Sequence, residues 1–424
     1  MSVKRLHPSS ILTGQIQLGS FAWVGEEFES ARDYKYIPHV HIWLSVEYGE
    51  FCPLNCIHCG WQKQVVREQI PLDLLLNRLE ELFQSPHKPE FLSISGKEPS
   101  ITKKETLAIA SIAKKFGSKT IMMTNGIGFT KDFMKQTRGL IDYLDLSIDG
   151  SEKYHEIVRG KGMFKRALKA LDLALEFGNF EKIGIISTAT TANIDGIPEL
   201  IEQLDREYPK EGRIRHSIGM YHGLPGDKLL LKSKDVVRLL GKLVKLNRPS
   251  SKQSILFLYY SNYAYFLHEV LQEFNLKLED SKICKISGLP ILELPNLQIA
   301  LLNHNHHILF IPRISTDGYL FLSCTHLVIP KKSSPFAIGD ITEEKISNII
   351  DRFFENPENE YFDFTSLSEE PLFCKENCPF YDICGGGDRL LGLYLGDRHA
   401  YDPFCERIPS FLKNLENKKL EIIK

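Results

Sequence analysis

The stretch Cys52-Pro-Leu-Asn-Cys56-Ile-His-Cys59 places three cysteines within eight residues, in the spacing C-x3-C-x2-C. Cysteines this close together can bind one metal centre. A structural zinc ion nearly always takes four protein ligands, so this loop alone supplies an incomplete zinc site. On a four-iron cluster, three thiolates leave one iron free to bind an outside molecule. A half zinc site and a chance grouping of cysteines are the alternatives.

The sequence around this loop alternates between predicted strands and helices. The apolar run from His41 to Val46 predicts a strand that leads directly into the cysteine loop. Further strands are predicted at 91–95, 120–124, 143–148, 183–189 and 214–220, and helices at 71–83, 103–116, 131–136, 164–177 and 197–206. Strands that alternate with helices indicate a parallel sheet covered by helices. The six units predict an α/β fold with a partial (β/α)6 TIM-like barrel, whose chemistry lies at the carboxyl ends of the strands.

Polar residues follow each of the next four predicted strands. The candidate site residues at these strand ends are Gly96, Glu98, Asn125, Ser147, Arg159 and Thr188. Each type has an ordinary explanation, because Asn-Gly and Asp-Gly are common turn formers and a single arginine is often solvated or structural. Carboxyl ends of parallel strands meet at one edge of a sheet, so their shared position favours a common site.

The cysteine loop and these strand ends together resemble the radical S-adenosylmethionine (SAM) enzymes. Two positions depart from the family pattern: His58 stands where an aromatic residue usually precedes the third cysteine, and Ser95 replaces the first glycine of the Gly-Gly-Glu-Pro loop. In this family the amino and carboxylate groups of SAM chelate the open iron. A reduced cluster then cleaves SAM to a 5′-deoxyadenosyl radical, which abstracts a hydrogen atom from the substrate.

The resemblance implies a role for each candidate residue. Cys52, Cys56 and Cys59 would bind a [4Fe-4S] cluster, and the six strand-end residues would contact SAM. Glu98 would accept a hydrogen bond from the SAM amino group, and Arg159 would pair with its carboxylate.

The carboxyl-terminal quarter contains a second group of cysteines. They are Cys374, Cys378, Cys384 and Cys405. Their spacing resembles the SPASM extension of radical SAM enzymes, although the first gap is one residue longer and Asp388 stands where a cysteine is expected. The resemblance implies one auxiliary [4Fe-4S] cluster, because Cys284 and Cys324 are too few to complete another. A four-cysteine zinc site on the same residues stays open.

The chain is long enough for several packed units. The predicted units are an amino-terminal lead-in (1–36), a radical SAM core (37–222), a bridging region (223–310) and a SPASM-like domain (311–424). In the bridging region, residues 234–246 predict an amphipathic helix. The aromatic run 257–269 is interpreted as the core face of a helix, with a substrate path as the alternative. In the last unit, Asp317-Gly318 between apolar runs predicts a hairpin.

Composition argues against several classes of protein, although it does not exclude an RNA substrate. The net charge of −2 over 424 residues gives no electrostatic reason to expect a nucleic-acid partner. We find neither an apolar run of the roughly 20 residues that span a bilayer nor an apolar signal core in residues 1–10. The prediction is a cytoplasmic protein without a membrane partner. Nine cysteines, clustered at short spacings, favour metal binding over disulfides.

Most SPASM enzymes modify peptides or proteins, so the resemblance implies a radical SAM oxidoreductase that matures a ribosomally made peptide. Its partners would be that peptide and an electron donor such as flavodoxin or ferredoxin. The alternative is a radical SAM dehydrogenase or epimerase acting on a sugar or another small molecule. A third hypothesis is a non-catalytic metal-binding module, which would not cleave SAM under reduction.

Overall fold

The computed structural model defines the central part of the chain. It describes residues 28–30, 41–49, 51–59, 69–221, 227–246, 254–259, 269–277, 282–284, 290–294, 297–302, 309–310, 312–321, 337–355 and 376–377. The helices are α1 (Leu72–Phe83), α2 (Lys103–Lys115), α3 (Lys131–Gln136), α4 (Glu152–Arg159), α5 (Met163–Phe177), α6 (Gly196–Glu207), α7 (Ser233–Val244) and α8 (Ile346–Glu355).

The strands belong to one extended sheet. They are β1 (Phe28–Ser30), β2 (His41–Glu47), β3 (Phe91–Ser95), β4 (Lys119–Thr124), β5 (Tyr143–Ser147), β6 (Lys182–Ala189), β7 (Ile214–Met220), β8 (Ser254–Tyr259), β9 (Lys282–Cys284), β10 (Pro290–Leu294), β11 (Leu297–Leu302), β12 (Leu309–Phe310), β13 (Arg313–Ile314), β14 (Tyr319–Phe321) and β15 (Ala337–Asp340). The strand order is β1-β9-β10-β11-β8-β7-β6-β5-β4-β3-β2-β13-β14-β15, and β12 also pairs with β2.

Strands β2 to β7 form the parallel centre of this sheet and follow one another in sequence order. Strands β8 and β11 continue the parallel arrangement beyond β7, and β13 continues it beyond β2. The path through the described strands is open, with β1 and β15 at its two ends. The predicted α/β fold with a partial (β/α)6 core is therefore confirmed.

Side-chain alternation gives the central strands two different faces. On β2, Leu44 and Val46 are fully buried in the main hydrophobic core, into which helix α1 also packs Leu75 and Leu79. Ser45 and Glu47 point to the opposite face, as expected for a period of two. The apolar face fixes the register of the strands, and the carboxyl ends of the strands present the candidate site.

The structure corrects two interpretations of the sequence. Residues Phe257–Tyr259 belong to strand β8, so the aromatic run does not begin as a helix. Helix α4 was not predicted, because its sequence is mostly polar. The predicted hairpin is confirmed: β13 and β14 are antiparallel, and Gly318 in their turn has a φ of 86°.

The four proposed domain limits stay predictions. No described helix is long and apolar enough to cross a membrane.

Candidate cluster and cofactor site

The cysteine loop follows strand β2, which ends at Glu47, five residues before Cys52. Cys56 is buried, whereas Cys52 and Cys59 are partly exposed, and all three are free thiols. The backbone N–H of Cys59 donates to the carbonyl of Cys56 at 3.0 Å, which turns the loop back on itself. The N–H of Ile57 donates to the carbonyl of Val158 at 3.0 Å and ties the loop to helix α4.

Glu98 connects the loops that follow β3 and β4. Its Oε1 accepts hydrogen bonds from the N–H of Ser100 at 3.0 Å and from the hydroxyl of Thr124. Its Oε2 accepts from the N–H of Asn125 at 2.9 Å. The side chain is 2% exposed, and this burial raises its pKa although the donors oppose that rise. Glu98 therefore acts first as a link between loops, while Oε2, which accepts one of these three bonds, keeps a lone pair for a ligand.

Gly96 lies against the end of strand β2. Its φ is +110°, a conformation that favours glycine. A Cβ at this position would lie 3.2 Å from Glu47 Cα and from the backbone N of Tyr48. Glycine thus allows the Gly96–Glu98 loop to approach the end of strand β2, which leads into the cysteine loop.

Asn125 contacts the cysteine loop from the end of β4. Its Nδ2 lies 3.6 Å from Cys52 Sγ, and its Oδ1 accepts a hydrogen bond from the N–H of Ile127 at 2.9 Å. The sequence indicated this residue as a SAM contact. The structure adds a contact with a predicted cluster ligand.

Arg159 forms a buried ion pair with Asp149. Arg159 Nε lies 2.5 Å from Asp149 Oδ2, and Arg159 Nη1 lies 4.0 Å from Cys56 Sγ. Asp149 is fully buried, its Oδ1 accepts from the N–H of Thr188 at 2.8 Å, and its Oδ2 lies 3.8 Å from His58 Nε2. Burial alone would raise the pKa of Asp149, but Arg159 and then His58 lower it to about 2. The aspartate is therefore a carboxylate at neutral pH.

The remaining predicted residues, Ser147 and Thr188, lie at the ends of β5 and β6. Ser147 is the last residue of β5 and is partly buried. Thr188 is near the end of β6, and its carbonyl accepts a hydrogen bond from Asn193 Nδ2 at 2.8 Å. The same Nδ2 donates to the carbonyl of Asp149 at 2.7 Å. The fold thus brings the predicted strand-end residues to one edge, and their contacts with SAM stay predictions.

The sequence interpretation missed the roles of Asp149 and His155. Asp149 belongs to an Asp-Gly pair, which by its local sequence indicates only a turn. His155 is 1% exposed, and its Nδ1 accepts the N–H of Asp149 at 3.1 Å. Burial lowers the pKa of His155 to about 4, so its ring is neutral.

The thiols of the loop suit a metal that binds thiolates. Burial raises the pKa of Cys56 to about 11 and also raises that of Cys52, so a thiolate at either position needs a cation to stabilise it. Within the described residues, no three metal-ligating side chains converge on a position for a single ion. A four-iron cluster does not require such convergence, because each thiolate binds a different iron. The donor set therefore fits a cluster.

The second group of predicted ligands cannot be described in the same way. Cys374, Cys378, Cys384 and Cys405, together with Asp388, lie outside the described residues. The auxiliary cluster stays a prediction.

Comparisons with known proteins identify the family of the core. Residues 46–206 match the model of the Radical SAM superfamily. This range contains the cysteine loop and all six predicted strand-end residues. The chain therefore contains a radical SAM domain, of a superfamily that binds a four-iron cluster and SAM.

One curated relative matches part of this domain. The S-adenosylmethionine-dependent nucleotide dehydratase of Lacinutrix mariniflava is 25% identical over 166 residues, which is 37% of this chain. The match spans 33% of the length of that relative.

Solved structures share the fold over a longer range. Native anSMEcpe with bound AdoMet has a TM-score of 0.54 at 15% identity, covering 89% of this chain and 95% of that one. Streptococcus suis SuiB has a TM-score of 0.57 at 16% identity, covering 85% and 76%. SuiB bound to precursor peptide SuiA has a TM-score of 0.55 at 14% identity, covering 86% and 75%. At these identities the likeness shows the fold alone.

Proposed function

We propose that this protein is a radical SAM enzyme whose cluster is held by Cys52, Cys56 and Cys59. The observation that carries the proposal is the position of this loop at the carboxyl end of β2, with Asn125 and Arg159 facing two of its sulfurs. A four-iron cluster with SAM bound supplies a carbon-centred radical that removes a hydrogen atom from a substrate.

The residues of the chain would bind and orient SAM. Gly96 and Glu98 provide a tightly packed loop with carboxylate oxygens for the SAM amino group. Asp149 engages Nε of Arg159 and Nη1 faces Cys56 Sγ, so Nη2 is the terminal nitrogen proposed to pair with a SAM carboxylate. Ser147 and Thr188, at the next two strand ends, are proposed to bind further polar groups of SAM.

The proposed substrate is a ribosomally made peptide, and the proposed reaction class is oxidoreduction. The supporting observation is the likeness over most of the chain to SuiB bound to precursor peptide SuiA and to anSMEcpe bound to Cp18Cys peptide, the latter with a TM-score of 0.50. An electron donor such as flavodoxin or ferredoxin, an auxiliary cluster on the carboxyl-terminal cysteines and a cytoplasmic location complete the proposal.

A small-molecule substrate is the second candidate. The observation that favours it is the match of the radical SAM domain to a nucleotide dehydratase. Under this alternative the same site acts on a sugar, a nucleotide or a similar metabolite. Genes beside this one distinguish the candidates, because a small open reading frame favours a peptide and sugar-pathway genes favour a metabolite.

The test is anaerobic reconstitution with iron and sulfide, followed by reduction with dithionite in the presence of SAM. We expect 5′-deoxyadenosine, detected by mass spectrometry, and a mass change in a peptide encoded beside the gene. Formation of 5′-deoxyadenosine with a change only in a nucleotide or sugar would contradict the peptide proposal. Absence of 5′-deoxyadenosine from a protein loaded with iron and sulfide would contradict the radical SAM assignment.

A further inference from the structure

Two side chains outside the cysteine loop place N–H groups beside cysteine sulfurs. Asn125 Nδ2 lies 3.6 Å from Cys52 Sγ, and Arg159 Nη1 lies 4.0 Å from Cys56 Sγ. Hydrogen bonds to sulfur are longer than those to oxygen because sulfur is the larger atom. The contacts come from two separate elements, the end of β4 and the last residue of α4.

The orientation of the Asn125 amide follows from its other contact. The N–H of Ile127 lies 2.9 Å from one end of the amide, and a backbone N–H can only donate. The atom that faces it must be Oδ1, so the NH₂ end faces Cys52. The backbone N–H of Asn125 is also fixed, because it donates to Glu98 Oε2 at 2.9 Å.

The orientation of Arg159 is fixed by Asp149. The guanidinium group is planar, so a bond from Nε to Asp149 Oδ2 at 2.5 Å restricts the directions of both terminal nitrogens. Asp149 is itself held by the N–H of Thr188 through Oδ1 at 2.8 Å. The Arg159 and Asp149 side chains are 11% and 0% exposed, so solvent screens their charges weakly.

We propose that Asn125 and Arg159 donate to the sulfurs of Cys52 and Cys56 when the cluster is bound, and thereby raise the reduction potential of the SAM-binding cluster. This inference rests on the proposed function, since it takes these cysteines as cluster ligands. Reduction adds one electron from an external reductant, so N–H donors and a nearby positive charge stabilise the reduced form more than the oxidised form. The two residues therefore favour the state that cleaves SAM.

The test measures the midpoint potential of the cluster by a redox titration followed by electron paramagnetic resonance. The protein is the full chain loaded with iron and sulfide. In the wild type the cluster is identified by the change that SAM causes in its signal, because only a cluster with an open iron binds SAM, and in the variants it is identified as the signal that the Cys52→Ala/Cys56→Ala/Cys59→Ala variant lacks. A wild-type protein without a SAM-responsive signal would contradict the proposed function itself, whereas the variants below test the inference.

Asn125→Leu removes the donor, and Asn125→Asp keeps the acceptor for Ile127 but turns a carboxylate oxygen towards the sulfur. We expect Asn125→Leu to lower the ratio of reduced to oxidised cluster, at a fixed potential, about three- to tenfold, the effect of one hydrogen bond. A tenfold change corresponds to 59 mV for one electron. Asn125→Asp should lower the ratio further. The matched control is Asn179→Ala, at an exposed position after α5, which should leave the potential unchanged.

Arg159→Gln removes the positive charge and should also lower the potential, with the exposed Arg166→Gln as its control. If Arg159→Gln fails to fold because Asp149 loses its partner, the potentials of Asn125→Leu and Asn125→Asp decide the result. Midpoint potentials within error of wild type in both Asn125 variants, with full iron content, would overturn the inference. A loss of SAM cleavage without a change in potential would do the same, since it would indicate SAM binding rather than an effect on the cluster.

Discussion

Arg313 and Glu47 form an ion pair inside the protein although they are 266 residues apart in the sequence. Arg313 Nη1 lies 2.7 Å from Glu47 Oε1, and the side chains are 1% and 0% exposed. The Arg313 guanidinium also lies 4.8 Å from the ring centre of Phe321. Glu47 ends the strand that leads into the cysteine loop, so the pair joins the β13–β14 hairpin to the candidate site.

This ion pair predicts a pattern of stability in variants. Arg313→Met and Glu47→Leu, made separately, should each lower the free energy of unfolding by about 3–5 kcal/mol, because each leaves a buried charge without its partner. The double variant should recover most of that loss, since an apolar pair of similar size can replace a buried ion pair. Urea denaturation under anaerobic conditions measures all three. Single variants as stable as wild type would contradict the role of the pair.

Glycine at position 96 is predicted to be necessary for SAM binding. Gly96→Ala should cost about 1–2 kcal/mol from its positive φ and should also displace the loop, because the new Cβ would lie 3.2 Å from the backbone of β2. The matched control is Gly117→Ala, whose φ is +77° with no atom within 4 Å of the new Cβ. Isothermal titration with SAM should show weaker binding only for Gly96→Ala. Equal affinity in the two variants would refute the proposed role of the loop.

His155 predicts a dependence of stability on pH. Its folded pKa is about 4, below the ordinary histidine value of 6.5, because burial disfavours the charged ring. Between these values the unfolded chain binds a proton that the folded protein does not, so stability falls as the pH falls below 6.5. The expected loss is about 2 kcal/mol between pH 6.5 and pH 5.

The His155→Asn variant isolates this contribution. The Asn amide oxygen can still accept the N–H of Asp149, but the side chain does not titrate. The difference in unfolding free energy between wild type and variant should change by the same amount over this pH range, since clusters and other groups are common to both. Parallel pH profiles would show that His155 does not titrate on unfolding.

The central strands could be predicted from sequence because each has a strong local pattern. The observed strand Phe91–Ser95 and helix Lys131–Gln136 agree with the predicted limits. Helix α4, with the sequence EKYHEIVR, lacks an extended apolar stripe, and it forms where its few buried residues, such as Val158, pack against the core. Arg159 is the last residue of this helix. The sequence indicated Arg159 as a candidate site residue, but it did not indicate its partner Asp149.

The ion pairs of the site could not be predicted because they depend on contacts across the fold. Asp149 is a turn residue by its local sequence, and only the packing of β5 against β6 brings it under the N–H of Thr188. Nothing in the local sequence indicates a partner for Arg313, and only its register beside Ser45 of β2 places it next to Glu47. Local patterns predict elements, whereas these pairs require their three-dimensional arrangement.

The auxiliary cluster gives a prediction about iron content. If Cys374, Cys378, Cys384 and Cys405 hold one cluster, Cys378→Ala should lower iron from about eight to about four per chain. SAM cleavage should persist in part, because the first cluster keeps its ligands. If Asp388→Ala loses iron and Cys405→Ala does not, then Asp388 is the fourth ligand. About four irons and one zinc in the wild type would contradict the auxiliary cluster and favour a zinc site.

The central claim is that the loop from Cys52 to Cys59 holds the cluster that cleaves SAM. Its most direct test is the yield of 5′-deoxyadenosine from the Cys52→Ala/Cys56→Ala/Cys59→Ala variant after anaerobic reconstitution and reduction with dithionite. The wild type should form 5′-deoxyadenosine, and the variant should form none while it retains about four irons in the auxiliary cluster. A variant that still forms 5′-deoxyadenosine at the wild-type rate would contradict the claim.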